Sequence, residues 1–88
     1  MPQVIPVQHL LNKIRWDKEF STSSFEIGYL DHVEQRIIRI PFRKIRFEEG
    51  NRFSFELEDE MGETLQIPFH RIREIYRDGA LIWQRPAR

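Results

Sequence analysis

The chain has 88 residues, with 14 Lys or Arg, 14 Asp or Glu and no cysteine. That length implies one domain over 1–88, with a modest core burying about 60–65% of the unfolded surface, and the missing cysteines exclude disulfides and thiolate metal sites. A formal net charge of zero argues against sequence-blind binding to long duplexes, which depends on many phosphate contacts.

The opening, MPQVIPVQHL, is too short and too poor in basic residues for a signal peptide. No apolar run approaches the roughly 20 residues that span a bilayer. A cytoplasmic protein without a membrane partner is therefore expected. From Pro6 to Arg15, the apolar residues Val7, Leu10, Leu11 and Ile14 form the stripe of an amphipathic helix. Pro6 suits its first turn, where the missing N–H is not needed. Trp16, at the helix end, either joins the core or stacks on a base. Asp17 terminates the helix or caps the next turn, and Ser21 to Ser24 read as a loop.

The period then changes to two. Phe25, Ile27 and Tyr29 alternate with Glu26, Gly28 and Leu30, which puts the Tyr29 ring inside with its hydroxyl at a rim. Arg36 to Ile40 is a further β-branched run. Phe53, Phe55 and Leu57 alternate with polar residues, as do Leu65, Ile67 and Phe69. Turns are marked by Glu49-Gly50-Asn51, Met61-Gly62-Glu63 and Asp78-Gly79, the last a hairpin signal before a strand holding Leu81 and a core Trp83. The expected fold is α+β: an N-terminal helix plus a small antiparallel β-barrel or curled sheet of five to six strands, SH3-like or Sm-like. A flatter sheet with the helix across one face is the alternative.

One phrase occurs twice, as IPFRKIR from Ile40 and as IPFHRIR from Ile67. Proline cannot donate a ladder hydrogen bond, so each copy ends a strand. A single 3₁₀ turn would then put Phe42 and Ile45, or Phe69 and Ile72, on one side as core plugs. Arg43-Lys44 and His70-Arg71 would face outward. The simplest reading is a strand–turn–strand corner used twice, with solvated charges outside.

Charge is segregated. Gln35 to Phe47 carries five basic residues and no acid, whereas Glu48 to Glu63 carries seven acids and only Arg52. Arginine outnumbers lysine, and its forked guanidinium favours phosphate and carboxylate. His70 can donate to a phosphate oxygen or carry a proton near neutrality. Arg71 and Arg73 would add forked donors if the turn brings them to one side. His9, His32 and His70 lack the H-x-x-x-H spacing of a metal site, so neither metal nor cofactor is expected. There is no cysteine nucleophile, G-x-S-x-G element, H-x-T or H-x-S pair, or phosphate-cradling glycine loop. A His32–His70 acid–base pair is the remaining catalytic possibility, and a non-enzyme is expected.

LLNKIRWD (Leu10 to Asp17), YLDH (Tyr29 to His32), IPFHRIREI (Ile67 to Ile75) and LIWQR (Leu81 to Arg85) run through nearly the whole chain. Together they resemble a family of short archaeal and bacterial proteins proposed to be an RNA cyclic group end recognition domain. Related domains are fused in eukaryotes to phosphoesterase-like or nucleotidyltransferase domains. The Ile-Pro-x-His-Arg-Ile pattern is matched by Ile67, Pro68, His70, Arg71 and Ile72, the Trp-Asp pair by Trp16 and Asp17, and Tyr-x-Asp by Tyr29 and Asp31. The following position, often arginine in the family, is His32, which adds a titratable group.

The resemblance implies an RNA-binding module for ends bearing phosphate or 2′,3′-cyclic phosphate. His70, Arg71 and Arg73 are then expected at the phosphate, with Arg36, Arg39 and Lys44 as peripheral electrostatics. Tyr29, Asp31 and His32 form a second cluster, and Trp16 a stacking candidate. Protein partners from RNA processing or repair would fit, and the oligomeric state is left open. The alternative is a protein-interaction adaptor, docking a partner strand on a sheet edge or a basic partner on the acidic segment.

Overall fold

The computed structural model describes residues 6–20 and 22–85. The opening five residues, read above as no signal peptide, and Ser21 of the expected loop lie outside the described residues. The elements in chain order are α1 (Val7–Trp16), β1 (Phe25–Asp31), β2 (Arg36–Pro41), a 3₁₀ turn (Phe42–Lys44), β3 (Ile45–Arg46), β4 (Ser54–Glu58), β5 (Thr64–Pro68), a second 3₁₀ turn (Phe69–Arg71), β6 (Ile72–Arg77) and β7 (Ala80–Gln84). No described helix is long and apolar enough to cross a membrane.

The strands form two antiparallel sheets, one in the order β2-β1-β6-β7 and one in the order β3-β4-β5. This α+β arrangement corrects the expected five- to six-stranded barrel. Among the described residues there are seven strands in two sheets rather than five to six in one, and no barrel closes. The reason lies in the repeated phrase. Each copy carries the chain from one sheet to the other: Ile40-Pro41 ends β2 and the first turn opens β3, while Ile67-Pro68 ends β5 and the second turn opens β6. The two prolines have nearly the same backbone, φ −62°, ψ 139° and φ −61°, ψ 142°. In each turn the amide of the closing isoleucine donates to the phenylalanine carbonyl. Proline stops the ladder, and the 3₁₀ turn redirects the backbone.

The helix and the inner sheet faces share one core. Val7, Leu10, Leu11 and Ile14 from α1 meet Phe25, Ile27, Tyr29, Ile72, Ile75 and Trp83 of the larger sheet and Ile45, Phe55, Leu57 and Ile67 of the smaller. The two corners plug unequally, because Phe69 is buried and Phe42 only half-buried. Phe53 departs from the alternation, being 82% exposed. The Asn51 side-chain oxygen accepts the amides of Phe53 and Ser54, which extends the turn to Phe53 and delays the strand. Asp17 does what was expected, its Oδ1 accepting the Glu19 amide after the helix end.

On the outer face of β1, Gly28 lies between Arg39 of β2 and Glu74 of β6. A Cβ there would stand 2.9 Å from the Ile37 Cγ2 and 3.1 Å from a Glu74 oxygen. Gly28→Ala should therefore destabilise by about 1 kcal/mol through overpacking, as a denaturant melt would measure. A neutral or stabilising result would mean that edge strand β2 yields freely.

Candidate functional site

The second corner lies at one end of the larger sheet. Tyr29 pairs with Ile72, so His70 and Arg71 sit beside the last residues of β1. Asp31 pairs with Arg36 at that same end. At the end of β7, the Arg85 amide donates to the Arg73 carbonyl at 2.8 Å. The register thus gathers Tyr29, Asp31, His32, Arg36, His70, Arg71, Arg73 and Arg85 at one sheet end, although the sequence spreads them over half the chain.

His70 is exposed, as expected of the turn. Arg71 is not the freely solvated residue expected. It is half-buried, and its Nε is shielded from solvent with no hydrogen-bond partner. Arg73 folds back, its Nη1 3.4 Å from the His70 carbonyl. Among the described residues, no carboxylate is in ion-pair range of His70, Arg71, Arg73 or Arg85; the ion pairs are Arg36–Glu34 at 2.8 Å and Arg39–Glu26 at 2.5 Å.

Those pairs change the standing of the peripheral arginines. Glu34, hydrogen-bonded to Arg36, raises the Arg36 pKa, and Glu26 does the same for Arg39. Both guanidiniums therefore already have a carboxylate partner at the surface. Arg39 also stacks 3.7 Å from the centre of the Tyr76 ring. It sits midway along edge strand β2, opposite Gly28, while Lys44 belongs to the first corner, which meets β1 at its other end through the Pro41–Glu26 pair. Neither Arg39 nor Lys44 joins the cluster.

Tyr29 is buried, with its ring edge-on to Phe55 at 6.5 Å. Burial first, and then the negative Asp31 and Glu34, push its hydroxyl above the ordinary phenol pKa, keeping it a neutral donor. Asp31 shapes the hairpin: its side chain accepts the Val33 amide at 3.0 Å and its carbonyl the Gln35 amide at 2.7 Å. His32 is exposed beside it, and an open depression is lined by Leu30, Asp31, His32 and Gln35. Trp16 is the last residue of the helix and is 73% exposed. Among the described residues, no three His, Asp or Glu side chains gather as a metal site.

Arg85 is the residue that the sequence did not single out. Its Nε donates to the Ile72 carbonyl at 2.8 Å and its Nη2 to the Phe69 carbonyl at 3.2 Å, clipping both ends of the second turn. Burial, with Arg73 nearby, lowers its pKa. Its partners are backbone carbonyls brought within reach by the β6–β7 register, for which there is no side-chain signal in the sequence. Arg85→Lys keeps the charge but loses the fork. It should cost about 1.5–2 kcal/mol, the lower part of the range for charged hydrogen bonds given its partial exposure. For a domain of this size that lowers Tm by roughly 5–15 °C, and an unchanged Tm would show the clip to be idle.

The fold is thus a small two-sheet α+β module whose second corner brings His70, Arg71, Arg73 and Arg85 to one sheet end without an ion-paired carboxylate among the described residues. The chain belongs to the MJ1316 RNA cyclic group end recognition domain family, whose model matches residues 4–85. That description is one of recognition rather than catalysis, and it names RNA ends. No curated protein and no solved structure matches the chain.

Proposed function

We propose that this module binds RNA ends carrying a terminal phosphate or 2′,3′-cyclic phosphate, with the second corner as the phosphate site. The observation that carries the proposal is Arg71, a half-buried guanidinium with an unsatisfied, shielded Nε, beside His70, Arg73 and Arg85, none of which pairs with a described carboxylate. An uncompensated charged donor has a cost that folding alone does not explain, and such costs collect at functional sites. His70 and Arg71 donate to the terminal oxygens, and Arg73 adds positive field. His32 and the Tyr29 hydroxyl lie on the ribose side, with Asp31 holding the hairpin that carries them. Arg85 positions the turn.

A cyclic phosphate is a monoanion that only accepts hydrogen bonds, whereas a terminal monophosphate carries up to two charges near neutrality. Forked and imidazole donors serve both. The test is calorimetry with short oligomers identical except for a 3′-hydroxyl, 3′-phosphate or 2′,3′-cyclic phosphate end. One charged contact implies at least about tenfold tighter binding of a phosphorylated end, with a shallow salt dependence because few phosphates are neutralised. Equal affinity for all three ends would overturn the assignment, and binding of none would favour the adaptor alternative.

A further inference from the structure

Between α1 and the loop joining β3 to β4 runs an open groove of about 800 Å³, in the range of ligand clefts, roughly 300–1,000 Å³. Its helix side carries Leu11, Arg15 and Trp16, and Phe47 and Phe69 line it as well. Phe69, which opens the turn carrying His70 and Arg71, is the residue of the second corner that lines the groove; His70, Arg71 and Arg73 do not line it. The Arg15 guanidinium lies 4.3 Å from the centre of the Phe47 ring and 4.9 Å from that of Trp16. It makes no ion pair among the described residues, although Glu48 and Glu49 line the same groove.

We infer that this groove takes the nucleobases immediately behind the RNA end, stacked on Trp16 and Arg15. The inference rests on the reading of the second corner as the phosphate site. A tryptophan 73% exposed beside an unpaired arginine offers a π-face and a cation together, the pairing that holds single-stranded bases irrespective of sequence. Glu48 and Glu49 repel phosphates, so the base enters the groove while the sugar–phosphate chain stays outside. Their carboxylates can also accept hydrogen bonds from base amino and imino groups. A paired, stacked duplex end cannot present its bases in this way. The module therefore prefers a single-stranded overhang to a blunt end.

The test separates groove from corner by ligand size. A nucleoside 2′,3′-cyclic phosphate engages the corner alone; a trinucleotide with the same end also fills the groove. Wild type should bind the trinucleotide roughly 5- to 150-fold more tightly, the range for one stacked base. Trp16→Ala should abolish that gain and leave mononucleotide affinity unchanged. An abasic residue in the penultimate position should have the same effect in wild type. Trinucleotide binding should quench tryptophan fluorescence in wild type but not in Trp16→Phe, because Trp83 is buried. Size-dependent affinity retained in Trp16→Ala would overturn the groove and leave the corner standing. Failure of wild type to bind either ligand would overturn both.

Discussion

Phe69→Ala should destabilise the fold by about 3–5 kcal/mol, the usual cost of emptying a buried aromatic site. Phe69 is 7% exposed. Its ring stacks on Phe47 at 6.1 Å and tilts against Phe55 at 5.7 Å. Its amide donates to the Phe53 carbonyl at 2.8 Å, tying the corner to the start of β4. The smaller side chain would leave a void where both sheets meet, with little freedom for the turn to collapse between Pro68 and the Arg85 clip. Against a total stability of roughly 5–15 kcal/mol, such a loss approaches unfolding. Phe42→Ala, at the matching place in the first corner, should cost less, about 1–2 kcal/mol, because its ring is half-buried and touches Phe47 from outside. Parallel urea melts check the order. Equal losses would mean that the first corner is buried as deeply as the second.

That asymmetry marks the limit of what the chain discloses by itself. The period-two pattern of Phe25, Ile27 and Tyr29 and the helical stripe of Val7, Leu10, Leu11 and Ile14 were legible because one face of each element is buried, and the structure buries all seven. The repeated phrase was legible as a corner, since proline and the three-residue spacing act locally. Its use to switch sheets was not, because that depends on which strands pair. β3 escaped notice for a simpler reason: two residues, Ile45–Arg46, are too few to show an alternation. The candidate site was legible in residue types more than in placement. His70 and Arg71 stood out beside the proline, but the convergence of Asp31, Arg36 and Arg85 with them follows from the β1–β2, β1–β6 and β6–β7 registers. The same registers keep Arg39 and Lys44 out. Trp16 defied the usual rule that a tryptophan ending an amphipathic helix joins the core. Leu11 and Ile14 already fill the stripe, and Trp16 follows Ile14 by only two residues, off that face.

Arg71→Ala should weaken binding of an end-phosphorylated RNA oligomer by about 1.5–3 kcal/mol, roughly 10- to 150-fold, while leaving Tm nearly unchanged. Two effects on stability oppose each other here. Alanine removes the packed stem of a half-buried side chain, which destabilises. It also removes a shielded Nε that has no partner in the fold, which relieves a desolvation cost. The binding loss has no such offset in the proposed site, where the Arg71 guanidinium serves as the forked donor and Arg73 is turned toward the His70 carbonyl. Arg71→Lys should recover only part of the affinity, since one ammonium cannot reproduce two parallel N–H contacts. His70→Ala should weaken the same ligand with less effect on the fold, as its side chain is exposed. Calorimetric titration of the three variants, beside thermal melts, reads both quantities. A large fall in Tm for Arg71→Ala with unchanged affinity would make Arg71 a packing residue and move the phosphate site elsewhere.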